Sequence, residues 1–272
     1  MPKTSDLLAP MYNRVIVTGG GSGIGREVTL ALTERGVDVW IMGRRADKLE
    51  ETKEMCTHNS GKVFTTTCDI RNLASVKAAF AKANADGPVQ ALVNSAGEVY
   101  PCAAERLTPE MFQETVSSML LGAFNVLHVW SRTLIKAKLE GAFIAYTSTV
   151  NSRESPGLGH SGAAKAGLES LVRTWALELG RYKLRLNTIG PGLFPLTGVS
   201  HEDFFNKDMF IDNIPLRRFG DAEEIVGPTL FLLSRAATYI TGTTLMVDGG
   251  MRLRPWFGFT PDNLAEYGMP VE

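Results

Sequence analysis

The chain of 272 residues is 44% hydrophobic and 21% charged, with a formal net charge of -1. That balance suits one globular unit with a core of its own and offers no basic surface for nucleic acid. Cys56, Cys68 and Cys102 are odd in number and form no close pair, which points away from a disulfide framework or a thiolate metal site and towards a reduced compartment.

Met1 to Arg14 is polar and broken by Pro2 and Pro10, so it lacks the apolar stretch of a signal peptide. Apolar runs of strand length then alternate with stretches of helical period. Strands are predicted at Arg14-Thr18, Asp38-Met42, Val63-Thr67, Ala91-Asn94, Ala142-Thr147, Arg185-Ile189 and Thr244-Val247. Helices are predicted near Ile24-Arg35, Ala46-His58, Leu73-Asn84, Glu110-Leu121, Ser161-Arg181 and Ala222-Leu233, and the apolar pattern after Glu110 continues to Lys136. Thr108 followed by Pro109, and Asp221 with Glu224, are helix-start signals. This alternation is that of an α/β protein built on a doubly wound parallel sheet of about seven strands, with helices on both faces. The whole of 1–272 is expected to be one domain, with a functional loop at about 190–213 and a tail at 251–272. No run approaches a membrane span, and Pro270-Val271-Glu272 is no peroxisomal address, so a cytoplasmic protein off the membrane is expected.

Chemistry begins at Thr18-Gly19-Gly20-Gly21-Ser22-Gly23-Ile24-Gly25, between the first strand and the first helix. Glycines there permit a tight turn, and a helix N-terminus offers N–H groups and a positive dipole end to a pyrophosphate. At the end of the second strand stands Gly43-Arg44-Arg45, where an acidic residue would select NAD. Arginine can instead fork onto a 2′-phosphate, so NADP is the expected cofactor, the competing reading being two solvated charges that open a helix.

Several segments together resemble the short-chain dehydrogenase/reductase family. Thr18 to Gly25 is similar to its TGxxxGIG, Asp69-Ile70 to its adenine-contacting pair, and Asn94-Ser95-Ala96-Gly97 to its NNAG. Asn187 to Gly192 is similar to the segment lining the nicotinamide, and Ile240-Thr241-Gly242 with Val247 to Gly250 to the C-terminal signature. The resemblance implies a Rossmann fold and cofactor contacts from Gly19, Ser22, Gly23, Ile24, Arg44, Arg45, Asp69, Ile70, Asn94, Ala96, Gly97, Lys165, Pro191, Gly192 and Phe194. It also implies a homotetramer assembled through the long helices and the last strand, with Trp256, Phe257 and Phe259 either covering the site, reaching a neighbour or packing locally.

The family's catalytic set is Asn, Ser, Tyr and Lys. Ser148 and Lys165 occupy two of those positions, whereas Ser161 stands for the Tyr and Met119 for the Asn. Ser161 and Lys165, four apart on a helix, share a face, while His160 projects from another. Ser161 could equally be the helix N-cap. A serine is too weak an acid to serve the alkoxide formed from a simple ketone. Reduction of a conjugated bond makes a less basic enolate that hydrogen-bond donors stabilise. Ser148, Ser161 and Lys165 are therefore expected to serve a reductase of an enoyl or dienoyl thioester, and a Ser one turn before the Lys resembles the 2,4-dienoyl-CoA reductases. Tyr100 or Tyr146 could supply the absent hydroxyl. Two alternatives stand beside this reading: a reductase of an unsaturated ketone or imine, and a degenerate member that binds NADP without redox turnover.

Overall fold

The computed structural model of the chain describes residues 7–149, 155–196 and 211–253. Among these, seven strands form: β1 Arg14–Thr18, β2 Asp38–Gly43, β3 Val63–Thr67, β4 Ala91–Asn94, β5 Gly141–Tyr146, β6 Leu184–Pro191 and β7 Thr244–Val247. They pair in parallel throughout, in the order β3-β2-β1-β4-β5-β6-β7. Continuous apolar runs such as Val15-Ile16-Val17 are buried on both sides, as a parallel sheet covered by helices requires.

The helices are α1 Gly23–Glu34, α2 Ala46–Met55, α3 Leu73–Ala83, α4 Pro109–Val116, α5 Gly122–Ala137, α6 Gly159–Leu179 and α7 Ala222–Leu233. The two-residue period of the strands sorts their side chains into two cores. Val15, Val17, Ile144 and Tyr146 pack with Val28 and Leu32 of α1 and with Ile225 and Leu232 of α7. Ile16, Leu92, Phe143 and Ala145 pack on the other face with Phe80, Val126, Leu127, Leu168 and Val172 from α3, α5 and α6. The doubly wound sheet predicted from the sequence is therefore present, with helices on both faces.

Start signals act as their chemistry dictates. Thr108 accepts a bond from the Met111 N–H with Pro109 in the first turn of α4. Glu224 reaches back to the Asp221 N–H at 2.9 Å, and its carboxyl is held at about 2 because the Arg218 guanidinium bonds it.

The helix predicted from Glu110 is not continuous. It runs as α4, a π turn over Ser117–Leu121, then α5. Local hydroxyls favour the widening: Thr115 Oγ1 donates to the Met111 carbonyl and Ser118 Oγ to the Thr115 carbonyl, competing with the backbone ladder. A second correction concerns α6, which starts two residues earlier than expected, with Leu158 at the N-cap. Ser161 lies inside the helix and does not cap it. The predicted functional loop is described only to Leu196 and again from Ile211, and the tail only to Leu253; Trp256, Phe257 and Phe259 lie outside the described residues. No described helix is long and apolar enough to cross a membrane.

Candidate active site

The strand order reverses between β1 and β4, and a doubly wound sheet opens a crevice at the carboxyl ends of such a pair. Thr18 and Asn94 end these strands in register, and the buried Thr18 hydroxyl donates to Asn94 Oδ1 at 2.7 Å. The glycine turn leaves β1 here. Gly19 has φ +71°, and a Cβ on it would stand 2.8 Å from the Ala96 nitrogen, so only glycine lets the two turns approach this closely. Arg26 secures the turn from below, bonding the Gly21 carbonyl at 2.7 Å and Glu51 of α2 at 2.9 Å. Ser22 precedes α1 but makes no side-chain cap bond. The first-turn N–H groups of α1 therefore have no intrahelical acceptor and no side-chain cap, which fits a pyrophosphate at that end.

Across the crevice stand the charged candidates. Arg45 donates to Ser22 Oγ at 3.2 Å, linking the end of β2 to the glycine turn. Arg44 pairs with Glu98 at 3.0 Å. Asp69 takes a forked bond from Arg71, whose guanidinium holds the Asp69 carboxyl below the usual range. The Ile70 side chain is buried beneath Gly122 of α5, so any contact from Ile70 to a nucleotide base is restricted to its backbone. Phe194 is similarly turned inward against Gly220, while Gly192 bonds the Val247 carbonyl at 2.8 Å beside Pro191 at the end of β6.

At the inner end, Lys165, Ser161, Met119 and Gly97 converge. Lys165 is buried and donates to the Tyr146 carbonyl at 2.7 Å; its burial pulls the ammonium down to about 8. A Cβ on Gly97 would meet both Lys165 Nζ and Met119 Cγ at 3.7 Å. The Ser161 hydroxyl is fully buried and points at the Met119 sulfur, 3.6 Å away. The two side chains that the sequence resemblance aligns with the family's Tyr and Asn, Ser161 and Met119, thus contact one another. Ser148 follows β5 at the same end of the sheet, half-buried. Next to it, Thr147 bonds Glu169, one turn beyond Lys165 on α6, at 2.9 Å.

The two tyrosines considered as substitute acids are both engaged elsewhere. Tyr146 belongs to the opposite core: its hydroxyl bonds Thr229 of α7, and burial pushes it above the ordinary tyrosine range. Tyr146 is therefore excluded from the Lys165 side of the sheet. The Tyr100 hydroxyl donates to the Met111 carbonyl at 3.0 Å, and its ring lies 5.0 Å from that of His160.

Two residues gain significance only in three dimensions. Glu98 gave no sequence signal beyond being a charge directly after the Asn94 to Gly97 turn. His160 is buried, and because Nε2 lies 3.0 Å from the Tyr100 carbonyl, that nitrogen carries the proton; Nδ1 has no partner among the described residues. Its helical position alone placed it off the Ser161 face.

Comparison with known proteins agrees with this geometry. The family model described as enoyl-(acyl carrier protein) reductase matches residues 19–252. The probable 2,4-dienoyl-CoA reductase of Bacillus subtilis is 35% identical over 247 residues, covering 89% of this chain and 97% of that protein. A 3-oxoacyl-(acyl-carrier-protein) reductase of Staphylococcus epidermidis is 31% identical, covering 89% of this chain and 99% of its own length. Among solved structures, a short chain dehydrogenase from Bacillus anthracis superposes with a TM-score of 0.85 at 32% identity, over 90% of this chain and 99% of that one. The chain belongs to the short-chain dehydrogenase/reductase family and is an oxidoreductase of that family.

Proposed function

We propose that the chain is a cytoplasmic NADPH-dependent reductase of a conjugated carbon–carbon double bond, acting on an enoyl or dienoyl thioester. The observation that carries this reading is the buried contact between Ser161 and Met119 beside Lys165. It leaves no acidic hydroxyl at the position from which a simple ketone would be protonated, so the substrate must form an oxyanion that hydrogen bonds alone can hold. The printed names of two relatives, 2,4-dienoyl-CoA reductases of Bacillus subtilis and Saccharomyces cerevisiae, are in line with such a substrate.

When bound, NADPH would supply a hydride to the conjugated carbon furthest from the thioester. The displaced π electrons move to the carbonyl oxygen as an enolate, and a solvent proton then adds to carbon, so one double bond is lost overall. In this scheme the Ser148 hydroxyl donates to the enolate oxygen, and Lys165 holds the ribose hydroxyls next to the nicotinamide. The glycine turn with Ser22, Gly23 and Ile24 would receive the pyrophosphate, Ala96 and Gly97 would flank the crevice, and Arg44 and Arg45 would receive the 2′-phosphate.

NADPH consumption with a panel of 2-enoyl and 2,4-dienoyl thioesters tests the reading, and turnover of at least one is expected. NADPH binding without oxidation by any thioester, unsaturated ketone or imine would instead favour the non-redox alternative, which the inward-turned Ser161 also suits. For the cofactor, Arg44→Ala is expected to weaken NADPH binding by about 1.5–3 kcal/mol, the scale of a hydrogen bond to a charged group, and to leave NADH unchanged. Titration calorimetry with both nucleotides checks this, and equal wild-type affinities for the two would refute it.

We also propose a homotetramer. Leu121 of the π turn and Leu177 of α6 expose 45% and 85% of their surface, and β7 is an edge strand only half-buried along its length. Light scattering at micromolar concentration should report the tetramer; a monomer would exclude it.

A further inference from the structure

The ion pair between Arg44 and Glu98 joins residues 54 apart in sequence. Arg44 directly follows β2, and Glu98 stands in the turn that follows β4; β1 lies between those strands. The bridge therefore passes over the carboxyl end of β1, above the glycine turn, where a dinucleotide has to enter. Its side chains are 54% and 74% exposed. A pair so hydrated is weak and can open readily.

The surroundings give each partner somewhere to go. Arg71 is held by Asp69 at 2.6 Å and lies 3.7 Å from Glu114. Arg44 acts electrostatically on Asp69, and Glu98 on Arg71. Two cations and three carboxylates thus share this rim, and the arriving 2′-phosphate would be a fourth anionic group competing for the same guanidinium groups.

We propose that Glu98 is a specificity-determining residue: an internal anion that occupies Arg44 in the free protein and must be displaced by the 2′-phosphate of NADPH, but not by NADH. This rests on the assignment of Arg44 to that phosphate. Glu98 lowers NADPH affinity in two ways: it competes for the guanidinium, and once displaced it leaves a carboxylate near the phosphate. NADH, which lacks the phosphate, bypasses both penalties. Glu98 thus narrows the preference that Arg44 creates, and its swing towards Arg71 would accompany NADPH binding.

The test is titration of the full-length protein with NADPH and with NADH, using wild type, Glu98→Gln, Glu98→Ala, Arg44→Ala and the Arg44→Ala/Glu98→Gln pair. Glu98→Gln and Glu98→Ala are expected to tighten NADPH binding by about two- to fivefold, the range of an exposed ion pair, and to change NADH by less than about twofold. The gain should shrink as salt is raised. In the Arg44→Ala background the same substitution should give less than half of that gain. Melting curves verify that the exposed substitutions leave folding intact. Unchanged NADPH affinity in both Glu98 variants, or an equal gain for NADH, overturns the proposal. If wild type prefers NADPH through Arg44 while both Glu98 variants bind like wild type, the proposal alone fails. If wild type binds both nucleotides equally and Arg44→Ala changes neither, the cofactor reading fails first and takes the proposal with it.

Discussion

Lys165→Met is expected to abolish turnover and, in the same variant, to raise the melting temperature. Lys165 is 7% exposed, and its one described hydrogen bond goes to a neutral carbonyl, that of Tyr146. Burial lowers its pKa from 10.5 to about 8. A base whose folded pKa lies below its unfolded value binds fewer protons when folded, so stability is reduced below the folded pKa and recovers as pH rises towards the unfolded one. The shift corresponds to about 3 kcal/mol at neutral pH, and losing the bond to Tyr146 offsets about 1 of this. A thioether that fills the same stem volume should therefore stabilise the protein by about 2 kcal/mol, or about 4–8 °C for a domain of this size. Melting curves of cofactor-free protein between pH 7 and about 10.5 check this directly. Wild type should gain on the variant as pH climbs through that window. A variant less stable than wild type at pH 7 would overturn the burial argument, and one with undiminished turnover would remove the ammonium from the active site.

Ser148→Ala should lose about 10²–10³ in turnover, the scale for one oxyanion donor, with NADPH affinity nearly unchanged. Ser161→Ala is the informative contrast. Its hydroxyl is turned towards the Met119 sulfur, a weak acceptor, so its removal should change turnover less than about tenfold and stability by less than about 1 kcal/mol. Steady-state kinetics on the two variants with the best thioester settle their order. A larger loss from Ser161→Ala than from Ser148→Ala would mean that the hydroxyl leaves Met119 for the ligand during the reaction.

Much of the scaffold was legible in sequence because its signals are local. Val15-Ile16-Val17 followed by Gly19 to Gly25 specifies a buried strand, a tight turn and a helix within a dozen residues, and the structure places them so. The path after Glu110 was less legible because it depends on competition between side-chain hydroxyls and the backbone ladder, and the start of α6 because Leu158, at its N-cap, carries no capping side chain. Of the candidate site, only the positions of single residues along the chain were legible. Lys165 and Ser148 could be placed from their spacing, but the contact of Ser161 with Met119 joins residues 42 apart and required α6 to be packed against the π turn. Face assignment at the strand end was similarly hidden. Tyr146 sits next to Thr147 and two residues before Ser148, yet strand alternation sends its ring to α7, while its carbonyl receives Lys165 from the other layer.

The π turn over Ser117–Leu121 has a consequence for how this chain can vary. A π turn takes up one residue more than an α turn, so α4 and α5 differ in angular phase by about 100° from what an unbroken helix would have. Met119 lies inside that turn. Loss of one residue from this stretch would let the segment close into ordinary helix with α4 and α5 kept in their present phase, so that only the side chains of the turn itself, Met119 among them, would be re-aimed. Chain length at this point, and not only residue identity, therefore governs which atom faces Ser161, and in this stretch an alignment gap carries as much chemical meaning as a substitution.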